Sequence, residues 1–134
     1  MRKTILVLLL AVVSSSASAE WVRVSVSDAG NTYVDPATIL RAGDKATMSE
    51  MTDYKQIIAD SEFPYRSVKR QYEFDCKRRQ LRALSMASYS GHMAKGDEVV
   101  AATSPAGEWA PVGSGSVGEI MWKVACGGRG NSRT

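Results

Sequence analysis

Ser116-Val117-Gly118-Glu119-Ile120-Met121-Trp122-Lys123-Val124-Ala125-Cys126 is the stretch whose reading decides the fold. Ser116 and Glu119 stand three apart, the spacing of a capping box, in which hydroxyl and carboxylate satisfy free backbone N–H groups at a helix start. Val117, Ile120, Met121, Val124 and Ala125 recur at helical spacing and predict one apolar stripe. Glu119 and Lys123 pair at i,i+4 on the outside. Gly127-Gly128 stops the helix, so Cys126 falls in its last turn. An apolar stripe needs a surface to cover, and the chain's other cysteine indicates which one.

That cysteine, Cys76, ends Tyr65-Arg66-Ser67-Val68-Lys69-Arg70-Gln71-Tyr72-Glu73-Phe74-Asp75-Cys76. Val68, Tyr72, Phe74 and Cys76 share one face with Arg66 and Arg70, while Ser67, Lys69, Gln71, Glu73 and Asp75 fill the other, the period of a strand. A disulfide between Cys76 and Cys126 depends on an oxidising compartment, and the N-terminus supplies the address. Arg2 and Lys3 precede nine apolar residues, Ile5 to Val13, and small residues follow to Ala17-Ser18-Ala19. This is the layout of a secretory signal peptide over residues 1–19, cut between Ala19 and Glu20, and the apolar run is too short to span a bilayer. Glu20 stands where a lipoprotein would carry its lipidated cysteine, so the expectation is a periplasmic or secreted chain with no stable membrane anchor. An even cysteine count in an exported chain predicts the Cys76–Cys126 bridge.

The whole chain has 134 residues, 17 basic and 14 acidic. Losing residues 1–19 leaves 115 residues and removes two of the basic ones, so the net charge falls to +1. The pI of about 9.0 therefore owes much to the signal. Weak net charge and export both argue against nucleic acid as a partner. One domain is expected over residues 20–127, with a disordered tail over 128–134.

Other segments read as β-structure. Val22, Val24 and Val26 alternate with Arg23, Ser25 and Ser27, predicting a strand with its valines on one face. Asp28-Ala29-Gly30-Asn31 is a turn, and Thr32-Tyr33-Val34 resumes as a short strand. Asp35-Pro36 is expected to end it by capping a helical turn that tucks Ile39 or Leu40 against the sheet. Lys45 to Lys55 is read as a strand although Met48 and Met51 have opposite parity, with a polar connection over Gln56 to Pro64. Lys77 to Ser90 fits a helix through Leu81, Leu84 and Ala87, or a strand with Leu81, Ala83, Ala87 and Tyr89 on one face. Gly91 to Gly96 is a turn, Glu98 to Thr103 a strand, and Pro105 to Gly115 a loop in which Trp109 and Val112 pack down. The fold class is α+β: a single antiparallel β-sheet of five to six strands with a C-terminal α-helix packed on it and tied by a disulfide.

An ordered set of residues resembles the surface-adhesin protein E family of small exported bacterial proteins. The set is Trp21-Val22-Arg23-Val24, Tyr33-Val34-Asp35-Pro36-Ala37-Thr38-Ile39, Asp53-Tyr54-Lys55, the run from Ser67 to Cys76, Tyr89-Ser90, Trp109, and Ile120 to Cys126. The resemblance implies an antiparallel sheet with a disulfide-held C-terminal helix, and tips Lys77 to Ser90 toward strand. It implies binding of host extracellular proteins at a bacterial surface. The namesake type is lipid-anchored, which this chain's Glu20 does not match, and the family has an apolar or aromatic residue near Ser49.

No catalytic arrangement stands out, and no cofactor is expected. His92 is the only histidine and sits in a turn; with two cysteines it does not complete a zinc shell. Asp97 and Glu98 are neighbours on opposite strand faces, poor geometry for shared acid–base work. Gly113-Ser114-Gly115-Ser116 reads as helix capping rather than an anion site. The densest feature is basic: Arg66, Lys69, Arg70, Lys77, Arg78, Arg79 and Arg82. Such a cluster is either a solvated face that discourages edge pairing or a docking patch for a protein or polyanionic partner. The functional expectation is a non-catalytic exported binding module. The alternative is a periplasmic structural or envelope-associated domain with no host ligand. Pairing of sheet edges into a homodimer is compatible with either.

Overall fold

The computed structural model describes residues 20–103 and 107–127, so the expected signal segment 1–19, residues 104–106 and the expected tail 128–134 lie outside the described residues. Among the described residues, six strands lie side by side in chain order, each antiparallel to the next: β1 Val22–Val26, β2 Gly30–Ala42, β3 Lys45–Ile58, β4 Tyr65–Asp75, β5 Gln80–Tyr89 and β6 Glu98–Thr103. A two-residue strand, β7 Ala110–Pro111, pairs with the start of β5. A helix follows, α1 Val117–Gly127. Sequential antiparallel neighbours need only turns between them, and Gly43 at the β2–β3 corner takes the left-handed φ of 60° that favours glycine.

The core lies between α1 and one face of the sheet. Val34, Ala46, Met48 and Phe74 from β2, β3 and β4 meet Met121 and Ala125 from the helix. The Cys76–Cys126 disulfide links the end of β4 to the last turn of α1 across a sequence separation of 50, with Cα atoms 5.4 Å apart. Beside it the Trp122 Nε1–H donates to the Asp75 carbonyl at 2.9 Å, and an Arg41 guanidinium N–H donates to the Cys126 carbonyl at 3.0 Å. The helix start is capped as its sequence predicts: the Glu119 N–H donates to Ser116 Oγ at 3.1 Å. The reciprocal bond comes to Glu119 from the Gly115 N–H instead, because the Ser116 N–H is already taken by the Gly113 carbonyl.

The second sheet face is partly covered too, which explains why Met48 and Met51 can have opposite parity in one strand. Both are fully buried, Met48 under the helix and Met51 on the face where a 3₁₀ turn, His92–Ala94, rests on β3 and β4. Met93 and Ala94 hold left-handed φ values near 58°, a strain of about 1 kcal/mol or more each. Two bonds from the sheet hold them there: the Met93 N–H donates to Asp53 Oδ1 and the Ala94 N–H to Ser67 Oγ.

Several expectations need correction. The ladder of β1 slips between Arg23 and Ser25, so Val24 packs on the core while Val26 pairs with Asn31 and is exposed; a bulge reverses side-chain parity beyond it. β2 does not stop at Asp35-Pro36. Asp35 Oδ1 accepts the Ala37 N–H and Thr38 Oγ1 bridges to the Ser49 N–H, absorbing Pro36 in an irregularity of the β2–β3 ladder before the strand resumes at Leu40. Ile39 packs against the core, but Leu40 is exposed. β3 runs on to Ile58, beyond the expected Lys55. In β5 a ladder shift opposite Gln71 and Tyr72 puts Leu81 and Ala83 on one face and Ala87 and Tyr89 on the other. In α1, Ile120 is exposed and Trp122 packs inward. The buried stripe follows Met121 and Ala125, because Gly118 lets the helix approach Leu81.

Candidate binding surfaces

The seven clustered basic residues do not form one surface. On β4, Lys69 lies on the face opposite the helix with its Nζ 5.9 Å from the centre of the Trp21 ring. Arg70 points to the helix face and pairs with Glu50 at 3.2 Å. Arg82 on β5 donates from Nε to Glu73 at 2.7 Å and stacks over Trp109 at 4.2 Å. Arg79 pairs with Glu119 at 2.7 Å and lies 4.8 Å over Trp122. Arg66 is half-buried in β4, and Lys77 and Arg78 occupy the exposed β4–β5 turn; among the described residues these three have no ion pair.

Asp75 braces the backbone of the β4–β5 turn. Asp75 is 4 % exposed, and its Oδ1 accepts the Lys77 and Arg78 N–H groups at 3.0 and 2.9 Å. Those backbone donors, the Arg78 N–H first, hold the Asp75 carboxyl below its ordinary pKa, with Lys45 at 3.3 Å adding to the effect. Arg41, Lys45 and Lys123 join Lys77, Arg78 and Arg79 around this disulfide-bearing end of the sheet, against Asp44, Asp75 and Glu119. The first three are far from the cluster in sequence, so no local pattern could have found them.

Glu50 was missed altogether. It stands between Met48 and Thr52 on the helix face of β3 and is 3 % exposed. It accepts from Arg70 and from the Thr52 hydroxyl at 2.8 Å. Burial raises its pKa even though Arg70 and Thr52 pull it down. Burial, then Glu50, raises that of Tyr72. Burial works against the charge on Arg70, yet Glu50 and its phenolic neighbours leave the net shift upward, so the guanidinium stays charged.

Among the described residues, two open cavities border β5 and β6. One of about 350 Å³ includes Ser49, Lys69, Gln71, Ser85, Ala101 and Thr103 in its lining. Another of about 180 Å³ is lined by Arg70, Tyr72, Leu84, Met86 and Ala102. His92 is paired with Asp53 at 3.0 Å. The nearby Ser67 hydroxyl donates to the Gly91 carbonyl and accepts from Ala94, so it is occupied in holding the 3₁₀ turn.

The model of Surface-adhesin protein E matches residues 21–127. This chain belongs to the surface-adhesin protein E family. Comparison with curated proteins finds no significant match. Among solved structures it is similar to Haemophilus influenzae protein E, with a TM-score of 0.62 at 12% identity over 84% of this chain and 89% of that one. A second crystal form of the same protein gives 0.59 at 12%, over 81% and 98%. Protein E from non-typeable Haemophilus influenzae gives 0.58 at 12%, over 82% and 78%. At that identity the likeness establishes the common fold.

Proposed function

We propose that this member of the family is an exported, non-catalytic binding protein that docks an acidic protein surface on the cation-rich end of its sheet. The observation that carries the reading is the β4–β5 turn. Asp75 fixes its backbone, leaving the Lys77 and Arg78 side chains exposed beside Arg41, Lys45 and Lys123. Membership of an adhesin family supports the binding role, and the N-terminal signal pattern supports export. Of the clustered basic residues, Arg70, Arg79 and Arg82 are engaged by carboxylates of the chain itself, as the flanking Lys45 and Lys123 are, so the docking role falls first to the exposed Lys77 and Arg78. Exposed charges of this kind steer encounter and set partner preference more than they add affinity.

The test is retention of the purified protein on an immobilised, solubilised basement-membrane extract. Binding is expected to weaken at least about tenfold between about 50 and 300 mM salt, as screening shortens the reach of exposed charges. Lys77→Ala combined with Arg78→Ala should weaken it about tenfold at low salt, with circular dichroism and melting temperature unchanged. Binding indifferent to both salt and the double substitution would overturn the reading.

A further inference from the structure

The sheet has two edges, and they are built differently. β1 has a bulge between Arg23 and Ser25, carries the charge of Arg23, and packs against α1. Bulges, charges and a covering helix are the means by which proteins keep an edge strand from recruiting another chain. β6 lacks them where it matters. Its ladder with β5 is regular over Val100–Thr103, its residues from Val99 to Thr103 are short and uncharged, and among the described residues no strand pairs with its outer side.

Both cavities open beside this edge. Ala101 and Thr103 border the larger one, across from Lys69 and Gln71. Ala102 and the 38 % exposed Met86 border the smaller one on the helix face. A strand laid along β6 would send successive side chains to opposite faces, so neighbouring residues would enter the two cavities in turn. At the start of β6, Asp97 and Glu98 are exposed, and neither has an ion partner among the described residues.

We infer that β6 takes up an extended segment of a partner protein by antiparallel strand addition. The segment is uncharged opposite Val100–Ala102, apolar where it faces Met86, and basic at the C-terminal end that reaches Asp97 and Glu98. Main-chain hydrogen bonds to the free edge supply the attraction, and the two cavities select alternate side chains. This goes beyond docking at the cation-rich end and uses none of that surface.

The probe is a synthetic peptide of alternating Leu and Thr ending in two Lys. Its control is the same peptide N-methylated at every second amide, which keeps the side chains and removes the backbone donors. NMR hydrogen exchange should show alternate amides within Glu98–Thr103 slowed at least about tenfold by the peptide and left unchanged by the methylated control. Ala102→Lys, which adds a charge at an exposed edge position, should abolish that protection while the spectrum of β1 to β4 is unaltered. Lys77→Ala with Arg78→Ala should leave it intact, which separates this test from that of the cation-rich end. Equal protection by the methylated peptide, or no protection at all, would overturn the inference. So would β6 amides already protected in the free protein at concentrations where sedimentation reports a dimer, since the edge would then belong to a second copy.

Discussion

Glu50→Gln and Arg70→Met each remove one end of the same ion pair, and the structure gives them opposite consequences at pH 7. Glu50 is 3 % exposed and the Arg70 side chain 25 %, with Oε2 and the guanidinium nitrogen 3.2 Å apart. Burial outweighs the attraction and leaves the Glu50 pKa above its ordinary 4.5. A carboxyl whose folded pKa exceeds its unfolded one binds its proton more tightly in the native state. Its contribution is therefore complete below the unfolded value and is lost as pH rises through the folded value. At pH 7 the ionised carboxylate thus lowers stability relative to a neutral amide. Glu50→Gln should be as stable as the wild type or more so at pH 7, with the two curves converging below about pH 4. Arg70→Met instead strands a buried carboxylate. At 3.2 Å and an effective dielectric of about 20 the lost attraction is about 5 kcal/mol, and truncating one partner of a buried pair costs about 3–5 kcal/mol. That loss should shrink toward pH 4 as Glu50 takes up a proton. Urea unfolding followed by tryptophan fluorescence at pH 4, 5.5 and 7 measures all three proteins. A loss of about 3 kcal/mol or more in Glu50→Gln at pH 7 would mean that pairing outweighs burial, and the reasoning would fail.

Replacing both Cys76 and Cys126 by Ala frees a loop of 50 residues in the unfolded chain, which the chain-entropy model values at about 4 kcal/mol. Over residues 21–127 this corresponds to a fall in melting temperature of roughly 18 °C by calorimetry. Phe74→Ala, at a fully buried position under α1, should cost about 3–5 kcal/mol in urea unfolding; a cost below about 1 kcal/mol would mean that the helix does not cover β4 as described. Ser116→Ala removes the acceptor of the Glu119 N–H and should cost about 1 kcal/mol, while Ser116→Asp, which restores an acceptor, should recover most of it.

Strong periodicity made β4 and α1 legible in the sequence. Val68, Arg70, Tyr72 and Phe74 fall at a spacing of two on one face, and the residue pair Ser116 and Glu119 marks the helix start. The Cys76–Cys126 bridge followed from export and an even cysteine count, and its observed geometry fits. What escaped reading was set by long-range contacts. The bulge at Val24 and the ladder shift in β5 carry no local signature, yet each reverses which side chains face the core. Asp35-Pro36 looks like a stop because turn chemistry is local, whereas the Thr38 bridge to Ser49 that lets β2 continue spans eleven positions. The basic cluster was visible as composition, but Glu50 and Glu119 lie on other segments, and Glu73 meets Arg82 only through the β4–β5 register. Only the folded chain separates the occupied guanidinium groups from the free ones.

A protein that meets its partner outside the cell must first leave the cytoplasm, and the disulfide needs the oxidising compartment that export provides. Intact-mass spectrometry after thiol alkylation, on protein from fractionated cells, tests this directly. A chain beginning at Glu20 in the periplasmic or external fraction, with Cys76 and Cys126 unalkylated until a reductant is added, is the predicted result. An uncut chain beginning at Met1 in the cytosol, with both thiols alkylated, would contradict it.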